Sequence, residues 1–141
     1  MKRILRVVTA MLIPLAPYVP ASAAPDWIDI SGVYACKGHD EHLGAFEDTH
    51  ELRLDPTHHA GNSRGYRIVG YAEGKVAYTG EAITNGLQFA MNFASTSDKT
   101  HHGVLSGRID LGTPVRFSGE YFESQFAGGD SGTATCTRTG Q

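Results

Sequence analysis

The stretch Thr84-Asn85-Gly86-Leu87-Gln88-Phe89-Ala90-Met91-Asn92-Phe93-Ala94 decides the fold class. Leu87, Phe89, Met91 and Phe93 alternate with Gln88, Ala90, Asn92 and Ala94, the period-two pattern of a strand with one buried face. Asn85-Gly86 is the preferred pair for a two-residue hairpin turn, because both residues tolerate positive φ. The stretch therefore reads as the second arm of a β-hairpin.

Outward from it, the same alternation recurs at 28–36, 49–55, 66–72, 76–83, 103–111, 115–123 and 132–138, while helical periodicity is scarce. Eight short strands are expected. Glu73-Gly74 supplies another tight connection, and Gly112-Thr113-Pro114 turns the chain before a strand that Pro114 opens. Gly32, Gly70, Gly80, Gly107 and Gly119 fall inside strands, where glycine permits the sharp coiling of a small closed barrel.

The N-terminus has a different character. Lys2, Arg3 and Arg6 precede an apolar run from Val7 to Ala16, and Ala21-Ser22-Ala23 follows. This is the layout of a secretory signal peptide over residues 1–23, followed by a single domain over 24–141. Pro14, Pro17 and Pro20 interrupt the run, which falls short of the roughly 20 residues a membrane span needs. No cysteine lies near the cleavage position, so a lipoprotein anchor is not indicated. An exported protein, periplasmic or secreted, with no membrane span in the mature chain is expected. Removal of 1–23 leaves 118 of the 141 residues, with 9 basic against 15 acidic side chains, a net charge of −6. Such an acidic, glycine-rich chain is a poor partner for nucleic acid.

Cys36 and Cys136 are the only cysteines, and in an oxidising compartment they read as a disulfide. The bond would join the first strand to the last. Eight antiparallel strands whose ends meet make an all-β, up-and-down (meander) barrel; a β-sandwich is the alternative. Gly32-Val33-Tyr34 on the first strand, with Arg138 on the last, resembles the calycin pattern of lipocalins and avidins. In those barrels a Gly-x-aromatic closes one end under a basic residue from the last strand. Tyr stands at position 34 where the family usually has Trp, and Trp27 alone could not build the tryptophan-lined pocket of an avidin. The resemblance implies a ligand-holding barrel.

No catalytic constellation is visible, and a non-enzymatic domain is expected. Gly61-Asn62-Ser63-Arg64-Gly65 has the letters of a nucleophile elbow but lacks the strand-to-helix setting. Gly129-Asp130-Ser131-Gly132 matches a serine-protease string in a chain too short for that fold, and His50-Glu51-Leu52-Arg53-Leu54 fails the His-Glu-x-x-His zinc pattern. Tyr34, Tyr66, Tyr78, Phe89, Phe93, Phe117 and Tyr121 fall on alternating positions, where they either pack the barrel or line a cavity for a small apolar ligand.

In a meander, the loops after odd-numbered strands share one rim. That rim would gather His39, Asp40, Glu41, His42, His101, His102 and Asp130, while Asp55, His58 and His59 go to the other end. His39, His42, His101 and His102 are thus candidate ligands for Zn²⁺ or Cu²⁺, unless they are simply solvated loop residues. Phe122, Phe126 and the Ala127-Gly128-Gly129 loop are candidate protein contacts near the acidic rim. The expected functions are a small apolar ligand held in the barrel, or another exported protein bound at the rim. An inhibitor or immunity-type protein that blocks a hydrolase is a further reading, as is a His-rich metal binder.

Overall fold

The computed structural model describes residues 27–98, 100–124 and 129–141. Eight antiparallel strands close into one barrel: β1 (Gly32–Asp40), β2 (Gly44–Ala60), β3 (Ser63–Ala72), β4 (Lys75–Asn85), β5 (Gln88–Ser95), β6 (His102–Asp110), β7 (Arg116–Glu123) and β8 (Asp130–Gly140). Each strand pairs with its sequence neighbours, and β1 also pairs with β8, which completes the ring. The barrel, not the sandwich, is the fold. The expected signal peptide, Phe126, Ala127 and Gly128 lie outside the described residues.

The turns follow from local chemistry. Glu73 and Gly74 both have positive φ (51° and 74°) between the paired residues Ala72 and Lys75, a two-residue turn whose twist suits the flanking strands. The β4–β5 hairpin departs from expectation by one position. Asn85 pairs with Gln88, so the turn is Gly86-Leu87 and Leu87 is exposed rather than inward. The shift keeps the strand phase, and Phe89, Met91 and Phe93 point into the barrel. Pro114 lies in the turn before β7, which begins at Arg116.

The first strand also starts later than its alternation suggests. Ile28 and Ile30 continue the inward phase of Tyr34, but the Asp29 carboxylate accepts hydrogen bonds from the Ser31 N–H (2.8 Å) and hydroxyl (2.6 Å). That local turn competes with extension. Gly32 then takes φ 140°, a conformation side-chain-bearing residues avoid, and redirects the chain into β1. Residues 28–31 consequently cross one barrel end as a plug. Tyr34 donates to the Ile30 carbonyl (2.8 Å), Tyr66 donates to the Ile28 carbonyl (2.9 Å), and Ile30 is fully buried. Arg138 donates to Tyr34 and to the Asp29 carbonyl, with its guanidinium 5.6 Å from the Tyr34 ring centroid. The Gly-x-aromatic and the last-strand cation thus meet at one barrel end.

Inside, aromatic rings fill the space that glycines vacate. The Tyr78 ring lies across Gly70 on the paired strand, and the Tyr121 ring lies across Gly132, so a Cβ at either glycine would collide with the ring. This is the ring-over-glycine packing that supports tight barrel curvature. Phe117 sits 4.9 Å from both Tyr34 and Phe89, and 6.3 Å from His50. Tyr78 touches His50 and Phe93 at 5.4 Å each, and Phe46 meets Tyr121 at 6.0 Å. Each such aromatic pair contributes about 0.5–1.5 kcal/mol beyond the area it buries.

Cys36 and Cys136 are directly opposed on β1 and β8, fully buried, and joined by a disulfide that spans 100 residues of sequence. In the loop-entropy account a closure of that length stabilises by about 4–5 kcal/mol. Replacing both cysteines by alanine should therefore lower the melting temperature by more than about 10 °C in scanning calorimetry. A double variant that melts with the parent would refute the closure argument.

Candidate functional site

The interior is stratified along the barrel axis. Toward the plugged end it is mainly apolar: Ile30, Tyr34, Tyr66, Phe89, Ile109 and Phe117 are buried there, with Thr84 and Asp55 the buried polar residues on that side. Toward the loops after β1, β3, β5 and β7 it turns polar, because strand β2 carries Asp48 and His50 in the same inward phase as Phe46 and Leu52. The Tyr78 hydroxyl donates to Asp48 Oδ2 (2.5 Å) and also lies against His50 Nε2, which is 3.2 Å from that same oxygen. Burial, reinforced by the Asp48 charge, pushes the Tyr78 hydroxyl far above its ordinary pKa, so it remains a donor. Asp48 Oδ1 and His50 Nδ1 are buried without a hydrogen-bond partner.

A second polar group lies where β1 and β8 meet the rim. The Tyr121 hydroxyl donates to Asp40 Oδ2 (2.7 Å), while the N–H groups of His42 (2.9 Å) and Leu43 (2.7 Å) donate to Asp40 Oδ1. Burial opposes ionisation of Asp40, but these donors outweigh it and hold the carboxyl below its usual range. Burial also drives the Tyr121 hydroxyl up, and its bond to Asp40 adds to the shift. His42 Nδ1 sits 2.6 Å from Asp130 Oδ1, and that contact raises the His42 pKa. Asp130 is only 2% exposed, and its Oδ2 has no hydrogen-bond partner. One donor atom from each of Asp40, His42 and Asp130 lies within 4.8 Å of the other two.

The expected sites separate accordingly. Of the candidate cavity residues, Tyr34, Tyr66, Phe89, Phe117 and Tyr121 are buried and Tyr78 and Phe93 half-buried; all but Tyr66 have a ring partner named above. Of the candidate metal ligands, His42 joins Asp130, whereas His101 Nε2 pairs with Glu123 (2.5 Å). His39 is exposed on the outward phase of β1, and the His102 ring faces the Thr100 carbonyl (3.1 Å). Cys36, His50 and Cys136 also converge within 4.8 Å, but the sulfurs are spent on each other. The 61–65 string spans the β2–β3 turn with strand on both sides, not a nucleophile elbow.

Sequence reasoning passed over Asp48, His50 and Glu123. Their signal was present: each is polar yet sits in the core phase of its strand.

Charge is also segregated along the axis. Asp40, Glu41, Glu47, Asp48, Glu73, Asp98, Glu123 and Asp130 lie on the rim half, with Lys37 and Lys75 the basic residues there among the described ones. Arg53, Arg64, Arg67, Arg108, Arg116 and Arg138 all lie on the other half, with Asp29, Asp55 and Asp110, while Glu51, Glu81 and Glu120 lie along the strands between the two ends. A cavity of about 760 Å³ is lined by the exposed Ile83 (54%), Val104 (56%) and Phe122 (50%) together with the core residues Tyr66, Met91, Leu105 and Tyr121. Phe122 is thus exposed as expected.

Two outcomes follow from these networks. Tyr78→Phe removes the donor that Asp48 and His50 share and should cost about 1–3 kcal/mol in chemical denaturation; an unchanged midpoint would show the trio to be dispensable. At the opposite end, hydrogen bonds from Thr57, aided by His58 and Arg67, hold Asp55 well below its ordinary pKa. A depressed folded-state pKa stabilises above the unfolded value of about 3.9, and that stability is lost as pH falls toward the folded value. Asp55→Asn should therefore melt lower than the parent at pH 7, with the gap closing as pH drops below about 3.9. A gap independent of pH would contradict the assignment.

No protein-family model and no curated protein sequence matches the chain. Among solved structures it is similar to a redesigned β-barrel, with 13% identity and a TM-score of 0.51, over 77% of this chain and 90% of that one. At such low identity the likeness extends to the fold: a small closed β-barrel.

Proposed function

We propose that the chain is an exported, non-enzymatic binding domain that engages a basic exported protein through its acidic loop rim. The observation that carries this reading is the excess of carboxylates at the rim, where the described arginines are absent because all of them lie on the opposite half. A one-signed rim steers an oppositely charged partner and orients its approach. The ring contacts among Tyr34, Tyr78, Phe89, Phe93 and Phe117 favour the rim over the interior as the binding surface. The Tyr34–Arg138 contact at the plugged end supports a calycin-type barrel. Where the basic partner is a secreted hydrolase, occupation of its surface amounts to inhibition.

The test is calorimetric titration of the chain into a panel of basic secreted hydrolases at low and high salt. A stoichiometric complex is expected at low salt, weakened by added salt and several-fold by Glu41→Gln combined with Glu73→Gln and Asp98→Asn. Arg108→Gln at the far end should leave it unchanged. Absence of any complex at low salt, or one indifferent to the rim variants, would overturn the reading.

A further inference from the structure

We propose that Asp40, His42 and Asp130 form a binding site for one divalent transition-metal ion at the rim, where β1 meets β8. Three donor atoms, one from each side chain, already lie within 4.8 Å of one another. Two of the three are buried carboxylates: Asp40 is 5% exposed and Asp130 2%. The independent mark of a ligand is Asp130 Oδ2. Its partner oxygen accepts the Ser131 N–H (2.8 Å) and faces His42 Nδ1, whereas Oδ2 is shut off from solvent and makes no hydrogen bond of ordinary geometry, with the Asp40 carboxylate as its charged neighbour. A buried, unsatisfied carboxylate oxygen is costly, and a cation beside it removes that cost.

The surroundings orient the donors. Tyr121 and the N–H groups of His42 and Leu43 fix both oxygens of Asp40, and Oδ2, which accepts only from Tyr121, keeps a lone pair for an ion. The His42 ring is half-exposed, so it can swing onto an ion that enters from solvent. Two carboxylates with one imidazole suit Zn²⁺ or Mn²⁺ better than Ca²⁺, whose sites are built from oxygen alone. Three protein donors leave a fourth position for water. The site differs from a four-histidine cluster, since His39, His101 and His102 face elsewhere.

Equilibrium dialysis of the disulfide-intact chain against Zn²⁺ tests the site. One equivalent should bind with a Kd of about 10 μM or tighter. Asp130→Asn and His42→Ala should each weaken binding by about tenfold or more. The combined variant His39→Ala, His101→Ala, His102→Ala should retain the equivalent, which separates the site from casual histidine binding. No uptake up to about 100 μM zinc, full binding in His42→Ala, or loss in the triple variant would each overturn the proposal. Should Asp130→Asn fail to fold, the half-exposed His42 still decides. Zinc uptake is measured on the chain alone, so its failure leaves the docking reading standing, and the converse also holds.

Discussion

The pairing of β1 with β8 is the constraint on which the other features rest. An open eight-stranded meander would present two long edges, each a template for association with another chain. Closure removes both, and the buried Cys36–Cys136 bond holds the seam in register. Closure also sets the available interior. Eight strands enclose room for side chains or one small ligand, and glycines at facing positions give two of the large rings their space. Tyr78 over Gly70 and Tyr121 over Gly132 are the local consequences of that global restriction.

The same restriction explains how the two barrel ends differ. At the plugged end, Tyr34 and Tyr66 spend their hydroxyls on backbone carbonyls of residues 28–31, and Arg138 covers Tyr34. Those bonds convert a potentially open mouth into a sealed floor with its polar groups satisfied. At the rim end, Tyr78 and Tyr121 turn their hydroxyls to Asp48 and Asp40 instead. Four tyrosines thus bury their rings in one core and direct their polar tips to opposite ends. The apolar floor gives rigidity, and the rim holds ionised groups in fixed positions.

Much of this architecture was legible in the sequence. Strand alternation, the Glu73-Gly74 turn and the paired cysteines are local or near-binary signals, and each led to the observed feature. The plug was not, because Ile28 and Ile30 keep strand phase and only the Asp29–Ser31 turn breaks the extension. The rim network was legible only as a set of loop residues on a shared end. Topology alone could gather His42 and Asp130, 88 residues apart, but could not show that His101 would be taken by Glu123. Asp48 and His50 were obscured by a different assumption, namely that an inward strand position is apolar. In a barrel whose interior becomes polar toward one end, core phase and polarity are compatible.

Register connects the seam to the rim. Cys36 opposes Cys136, and the same antiparallel pairing, continued four residues along β1, brings Asp40 opposite Gly132 and within reach of Asp130. Because side chains alternate with period two, a slip of one residue would turn Asp40 outward and leave Tyr121 without its acceptor. The disulfide forbids that slip. A covalent bond in the middle of the seam therefore does more than stabilise the closed ring. It fixes which carboxylates face each other at the rim, so the placement of the acidic groups is inherited from closure rather than built by the loops that follow it.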